Sequence, residues 1–197
     1  MAKRLFDWLV SGFGLLVLSP VFLVLALWIK LDSPGAVFFR QERVGLGGRV
    51  FRIHKFRTMV TDAEQLGLQI TVGADTRVTR IGELLRKYKL DELPQLLDVW
   101  LGHMSLVGPR PEVPRYVACY PDDVRDIVLS VRPGITDRAS IEYKDENEIL
   151  GRADDPQHAY LYEVLPVKLR YCVAYVENQS FVDDLVIIFA TIRAIIR

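Results

Sequence analysis

The chain has 197 residues, of which 25 are basic, 25 acidic and half apolar. A chain of this length suits one domain with a real core, and its balanced charge excludes a global nucleic-acid footprint. Cys119 and Cys172 are far apart and lack the Cys/His spacing of a zinc site; as two lone thiols they suit a reducing compartment and read as core packing.

The first element is an apolar run, Leu9 to Ile29, without a charge over 21 positions. As a straight helix it measures roughly 31 Å, the thickness of a bilayer's hydrocarbon core. A membrane-spanning anchor is the simple reading. A cleaved signal peptide fits less well, because the run is long and no small-residue cleavage site follows. Ser19-Pro20 falls at mid-run, where proline removes a helical hydrogen bond and bends the axis. Lys3 and Arg4 precede the run, and Lys30, Arg40, Arg43, Arg49, Arg52, Lys55 and Arg57 follow it against only Asp32 and Glu42. Positive charge prefers the cytoplasmic side. Basic flanks at both ends therefore favour a re-entrant segment that enters one leaflet, turns at Ser19-Pro20 and returns.

Ala36–Arg40 and Val50–Phe56 are strand-like runs around Gly45-Leu46-Gly47-Gly48, which predicts a hairpin. Ile81–Tyr88 has helical spacing, with Ile81, Leu84 and Leu85 on one face. A second helix follows over Gln95–Leu101, for which Asp91 suits the N-cap, Glu92 the first turn and Pro94 the tolerated proline position. Pro111 is expected to open a helix through about Tyr120, and Arg132-Pro133-Gly134 is a turn. Residues 141–155 are acidic and polar, an ordered loop or short helices. Pro156–Glu177 reads as helix. Phe181–Arg197 starts from a Ser180/Asp183 capping arrangement and runs almost wholly apolar to Arg193 and Arg197, so it is either core or an interfacial helix.

Chemistry concentrates between Leu90 and Glu112. Asp91 and Glu92 are adjacent carboxylates at a Leu-Pro step, and Arg110 stands between Pro109 and Pro111. An acidic pair near a held guanidinium is what chemistry on a phosphate needs. The pair reads equally as a helix start, with its carboxylates favoured by the first turn. Consecutive helical residues point about 100° apart, so the two acids should do different jobs rather than share a proton. The prolines stiffen the backbone around Arg110, which suits clamping a phosphate. In His54-Lys55-Phe56-Arg57-Thr58, strand alternation puts Lys55 and Arg57 on one face, an anion site or simply a strand end. His54, His103 and His158 have no ligand spacing, and no Gly-rich phosphate loop is present. The acids of 142–148 read as a solvated face.

As a set these residues resemble one family. Lys3–Trp8 (KRLFDW), Ser19-Pro20, Phe38–Gly45 (FFRQERVG), His54–Met59 (HKFRTM), Leu90–Leu96 (LDELPQL), Met104–Glu112 (MSLVGPRPE) and Arg132–Thr136 (RPGIT) follow the order of the bacterial sugar transferases, the monotopic phosphoglycosyl transferases. The resemblance runs from Lys3 nearly to the C-terminus and looks like the small form, a single domain over 1–197 without the extra N-terminal segments of longer relatives. It implies an α-rich α+β fold: a re-entrant membrane helix over 1–32 and a cytosolic catalytic part over 33–197, with a small hairpin and amphipathic interfacial helices. The implied location is the cytoplasmic face of a bacterial inner membrane.

The implied reaction transfers sugar-1-phosphate from a UDP-sugar to a polyprenol phosphate such as undecaprenyl phosphate, releasing UMP, as a first membrane step of glycan assembly. By position Asp91 would be the nucleophile of a covalent intermediate, Glu92 its partner in holding Mg²⁺ or handling the proton, Lys55 and Arg110 phosphate contacts, and Ser19-Pro20 the break in the membrane helix. Asp137-Arg138-Ala139-Ser140 and Cys172 depart from the family pattern, and no role carries over to them. Two other readings stay open: a membrane-anchored scaffold without chemistry, and a glycosyltransferase that releases UDP. Apolar surface on the terminal helices would serve inner-membrane lipid or a second subunit.

Overall fold

The computed structural model describes residues 2–63, 73 and 75–196; Arg197 lies outside them. The apolar run forms α1, Ala2–Asp32, about 46 Å long at the helical rise. The Ser19–Pro20 step does not end it: α1 carries Pro20 inside. Pro20 has no N–H to offer the Leu16 carbonyl one turn back, and the Ser19 hydroxyl donates to that carbonyl instead, at 2.8 Å.

Both ends of α1 are tied to the rest of the protein. Near its start, the Lys3 ammonium donates to the Val107 carbonyl (3.0 Å) and to Asp184 (2.6 Å), and the Asp7 carboxylate accepts from the Ser105 hydroxyl (2.8 Å) and the Leu106 N–H (3.1 Å). Gly12 lies flat on the Trp100 ring, where a Cβ would come within 2.2 Å. At the far end Asp32 accepts from the Ile81 N–H (3.2 Å), and Leu25 and Ile29 bury against Phe56 and Leu85. Arg57 donates to the carbonyls of Ile29 (3.3 Å), Ser33 (2.8 Å) and Pro34, tying together the last turn of α1 and the two residues that follow it. Between these anchors Phe13, Leu16, Leu23 and Leu27 stay 60–73 % exposed.

Strands β1 (Phe38–Val44) and β2 (Val50–Phe56) pair antiparallel through the turn Leu46–Gly48. The hairpin is as predicted, with its first strand shifted from 36–40 because pairing continues to Val44 against Val50. Helix α2, Arg80–Lys87, is capped by the Thr79 hydroxyl, which accepts from the Gly82 N–H at 3.0 Å. Leu85 is its buried contact; Leu84 is exposed rather than core-facing. Lys89 then takes a left-handed backbone (φ 54°), turning the chain into a 3₁₀ turn, Leu90–Glu92, ahead of α3, Gln95–Leu101. Asp91 does not cap α3, whose N-cap is Pro94 with no side-chain bond; the acids occupy their own turn.

Strand β3, Ser105–Val107, pairs in parallel with β4, Gly134–Thr136. Arg132-Pro133-Gly134 is accordingly the entry to a strand, where the Pro133 carbonyl accepts from the Ser105 N–H, not a free turn. After Pro111 the chain stays extended, and α4 starts only at Pro114 (Pro114–Val117). Short helices α5 (Asp122–Val128), α6 (Arg138–Glu142), α7 (Glu146–Gly151) and α8 (Pro156–Ala159) lead through a π turn, Tyr160–Val164, to α9 (Leu165–Glu177) and α10 (Phe181–Ile196). Tyr116, Leu150, Tyr160, Leu169 and Cys172 form one apolar cluster, and Ile53, Val99, Met104, Val107, Tyr175 and Ile187 a second. Cys172 is core as read from the sequence, but Cys119 is exposed. Among the described residues the result is a helix-rich fold with two small two-stranded sheets.

Candidate active site

The end of β2, the 90–92 turn and the loop after β3 converge on one point. Glu92 accepts from the Lys55 ammonium at 2.8 Å and from the Arg110 guanidinium through both oxygens, one contact being 3.1 Å and the other very short. Burial alone would push the Glu92 carboxyl up; Arg110 and then Lys55 outweigh it and hold it well below the usual carboxylate range. Arg110 is raised in turn, chiefly by Glu92.

Asp91 lives in a different field. It is 7 % exposed, and its Oδ1 is buried without a hydrogen-bond partner. Burial, and next the charge on Glu92, push its carboxyl above the usual aspartate range, against the pull of Lys55 and Arg86. The adjacent acids thus differ as the helical geometry anticipates. One is saturated by fixed cations, and the other keeps an unsatisfied oxygen.

Arg110 is held from behind. Gly108 and Gly134 pack backbone on backbone: a Cβ on Gly134 would lie 2.1 Å from the Gly108 nitrogen. The Arg110 N–H donates to Asp137 Oδ2 (3.1 Å), while Asp137 Oδ1 accepts from the Ser140 N–H (2.6 Å) and caps α6. Asp137, to which the resemblance carried no role, therefore supports the arginine loop. Glu112, two residues on, accepts from the Tyr160 hydroxyl (2.6 Å) and the Lys168 ammonium (3.5 Å), and Lys168 also donates to Glu146 (2.9 Å). Lys168 and then Arg43 hold the Glu112 carboxyl below its usual range despite burial.

Lys55, Asp91, Glu92 and Arg110 are brought together as the motifs suggest. Arg57 is not: β2 ends at Phe56, and Arg57 turns away to cap α1. Glu146 is no solvated acid, since it pairs with buried Lys168. The sequence reading missed Arg86, whose Nε donates to the Thr58 hydroxyl at 2.8 Å beside Asp91, and the Glu112–Tyr160–Lys168 cluster. The basic run Arg86-Lys87-Tyr88-Lys89 before the acids was the available sign for the first. Nothing in sequence spacing joins Glu112 to Lys168.

The site opens on a cavity of about 1820 Å³, lined at its charged end by Lys55, Arg86, Asp91, Glu92 and Arg110. Among the described residues no set of three His, Cys, Asp or Glu side chains is placed to hold a metal ion. The orphaned Asp91 oxygen beside Glu92 still fits Mg²⁺ in its common mode, where protein supplies one or two carboxylates and substrate phosphates and water the rest.

The family model for bacterial sugar transferases matches residues 1–197, and the chain belongs to that family. It is 39 % identical over 196 residues to the UDP-N-acetylgalactosamine-undecaprenyl-phosphate N-acetylgalactosaminephosphotransferase of Aeromonas hydrophila, covering 98 % of this chain and 43 % of that protein. It is 41 % identical to the exopolysaccharide production protein PSS of Rhizobium leguminosarum bv. phaseoli, covering 96 % of this chain and 92 % of that one. To the UDP-glucose:undecaprenyl-phosphate glucose-1-phosphate transferase of Klebsiella pneumoniae it is 37 % identical, across 96 % of this chain and 39 % of the relative. The chain thus spans less than half of two of these relatives and nearly all of the third.

Proposed function

We propose that this protein transfers a sugar-1-phosphate from a UDP-sugar to undecaprenyl phosphate by way of a covalent intermediate on Asp91, releasing UMP. The observation that carries the reading is the split acid pair: Asp91, which lines the cavity, keeps a buried oxygen without a partner next to cations that Glu92 holds in place. An Asp91 oxygen bonds to the sugar-bearing phosphorus as the bond from that phosphorus to the bridging oxygen breaks, and the bridging oxygen departs on UMP. An oxygen of the acceptor phosphate then attacks the same phosphorus, the bond to Asp91 breaks, and the carboxylate is restored. Lys55 and Arg110 set the positive field that a diphosphate needs. Mg²⁺, held by Asp91 or Glu92 together with phosphate oxygens, would neutralise the charge that otherwise repels a carboxylate nucleophile.

The names of the relatives support this reaction class and point to glucose or N-acetylgalactosamine as first sugars to try. A monotopic placement on the cytoplasmic face is supported by the anchoring of α1. Lys3 and Asp7 at one end and Ile29 and Asp32 at the other bind the same body, which a helix crossing the bilayer would separate. The exposed apolar side chains between them would lie in one leaflet, and UDP-sugars would reach the site from the cytoplasm.

The test is nucleotide release from a panel of UDP-sugars by purified protein with Mg²⁺ and undecaprenyl phosphate in detergent. UMP that appears with one sugar and disappears in Asp91→Asn supports the proposal. UDP would identify plain glycosyl transfer, and no nucleotide from folded protein would favour a scaffold.

A further inference from the structure

Arg110 sits in a loop that is short of donors of its own. Pro109 and Pro111 have no N–H, so the loop's carbonyls find their partners elsewhere. The Pro109 carbonyl accepts from the Gly134 N–H (3.0 Å), and the Arg110 N–H goes to Asp137 (3.1 Å). Those anchors lie on the β4 side. On the other side the anchors come from the end of β1. The Val44 N–H donates to the Glu112 carbonyl (3.0 Å), and the Arg43 guanidinium donates through Nη1 to the Pro111 carbonyl (2.9 Å). Arg43 Nη2 donates to the side-chain oxygen of Gln41 (2.7 Å), on the same face of the strand, so both arms of the fork are fixed. Strand β1 is also the one that pairs with β2, where Phe39 stands opposite Lys55. The hairpin that carries Lys55 is thereby fastened to the loop that carries Arg110.

We infer that Arg43 is a positioning residue of the phosphate site, setting the separation of Lys55 and Arg110 by tying the hairpin to the Pro109–Pro111 loop. The inference rests on the diphosphate chemistry proposed above and deepens it by naming what keeps its cations in register. Lys55 and Arg110 repel each other, and the group between them is one side chain, Glu92. A diphosphate presents its oxygens at a fixed spacing, so the cations serve it best when they already stand at the matching separation. A planar guanidinium bound to a backbone carbonyl supplies that rigidity, which an ammonium on a flexible stem does not. Stability gives no reason for an arginine at this position. Its Nε is buried without a hydrogen-bond partner among the described residues, and burial outweighs Glu112 in disfavouring its charged form. A buried guanidinium with an unpaired N–H opposes folding, and an apolar side chain would avoid that cost.

The test is amide hydrogen exchange on the full-length protein in detergent without nucleotide, for the parent, Arg43→Met and Gln41→Leu. Titration with inorganic pyrophosphate and Mg²⁺, and UMP release from UDP-sugars, are measured on the same preparations. Arg43→Met should speed exchange over residues 104–112 about tenfold, the loss of one charge-assisted hydrogen bond, while α2 and α5 keep the parent rate. Its Kd for pyrophosphate should rise about tenfold through misplacement of the cations. Gln41→Leu keeps the arginine and frees one arm of its fork, so both readouts should move the same way by less. Unchanged exchange over 104–112 in both variants overturns the brace even if pyrophosphate binds more weakly, because Arg43 would then touch the anion directly. Exchange raised equally in α2 and α5 also overturns it, as a general loosening of the fold. Faster exchange confined to 104–112 with weaker pyrophosphate binding supports the brace even in a preparation that releases no UMP, which would remove the transfer reaction alone.

Discussion

Asp91 and Glu92 are neighbours in the chain, yet Glu92 accepts hydrogen bonds from both Lys55 and Arg110 while Asp91 keeps a buried oxygen with no partner. The same burial therefore has opposite outcomes. For Glu92 it concentrates the attraction of two fixed cations; for Asp91 it leaves a cost to the charged form that Lys55 and Arg86 offset only in part.

Asp91→Asn should lose turnover without losing the fold. The Asp91 carboxyl is raised in the folded state, so its ionisation at neutral pH opposes folding, and the neutral isostere removes that opposition. UMP release should vanish while the melting temperature at pH 7 is no lower than that of the parent.

Glu92→Gln should do the reverse to stability. It leaves Lys55 and Arg110 close together and partly buried without their shared counter-charge, a loss of about 3–5 kcal/mol for breaking a buried pair. Chemical denaturation compares it directly with Asp91→Asn, and equal stability of the two variants would contradict the split environment.

Acid should unfold the protein through Glu92 and Glu112. Both carboxyls are held below the ordinary value of 4.5, so their contribution is complete above that value and is lost as pH falls through their lower folded values. A scan of melting temperature below pH 5 should fall steeply. In Glu112→Gln the fall should be shallower, from a lower starting point at pH 7.

Lys168→Met should cost about 3 kcal/mol in chemical denaturation, because it strips the nearest cation from buried Glu112 and frees Glu146. The second-order consequence is a looser Arg110 loop, read as a rise in KM for the UDP-sugar greater than the fall in kcat.

For topology, a cysteine at residue 2 should resist an impermeant reagent applied from the periplasmic side of intact cells and react once the cytoplasm is opened. Lys3 and Arg4 are bound to Val107, Asp184, Val99 and Trp100, which keeps that end with the catalytic body. Labelling from outside would reject the monotopic placement.

Local patterns were the legible part. The charge-free Leu9–Ile29 run, the glycines of the hairpin turn and the Ser180 cap each act within a few residues, so α1, β2 and α10 follow from composition and spacing. Where a second segment competes, local reading fails. Arg57 has the strand alternation of an anion-site residue, but the carbonyls of Ile29 and Ser33 around the end of α1 claim it. Asp91 has the profile of a helix cap, but the left-handed Lys89 gives the acids a separate turn.

By itself, the sequence determined the membrane-seeking helix and the residue types a phosphate chemistry requires, because hydrophobicity and chemical identity belong to residues one at a time. Only the tertiary structure decided which acid is saturated and which is left open, that Asp137 props the arginine loop, and that Arg43 ties that loop to the hairpin. Those properties depend on distances between Lys55, Glu92, Arg110, Asp137 and Arg43, and charge and packing act through space rather than along the chain.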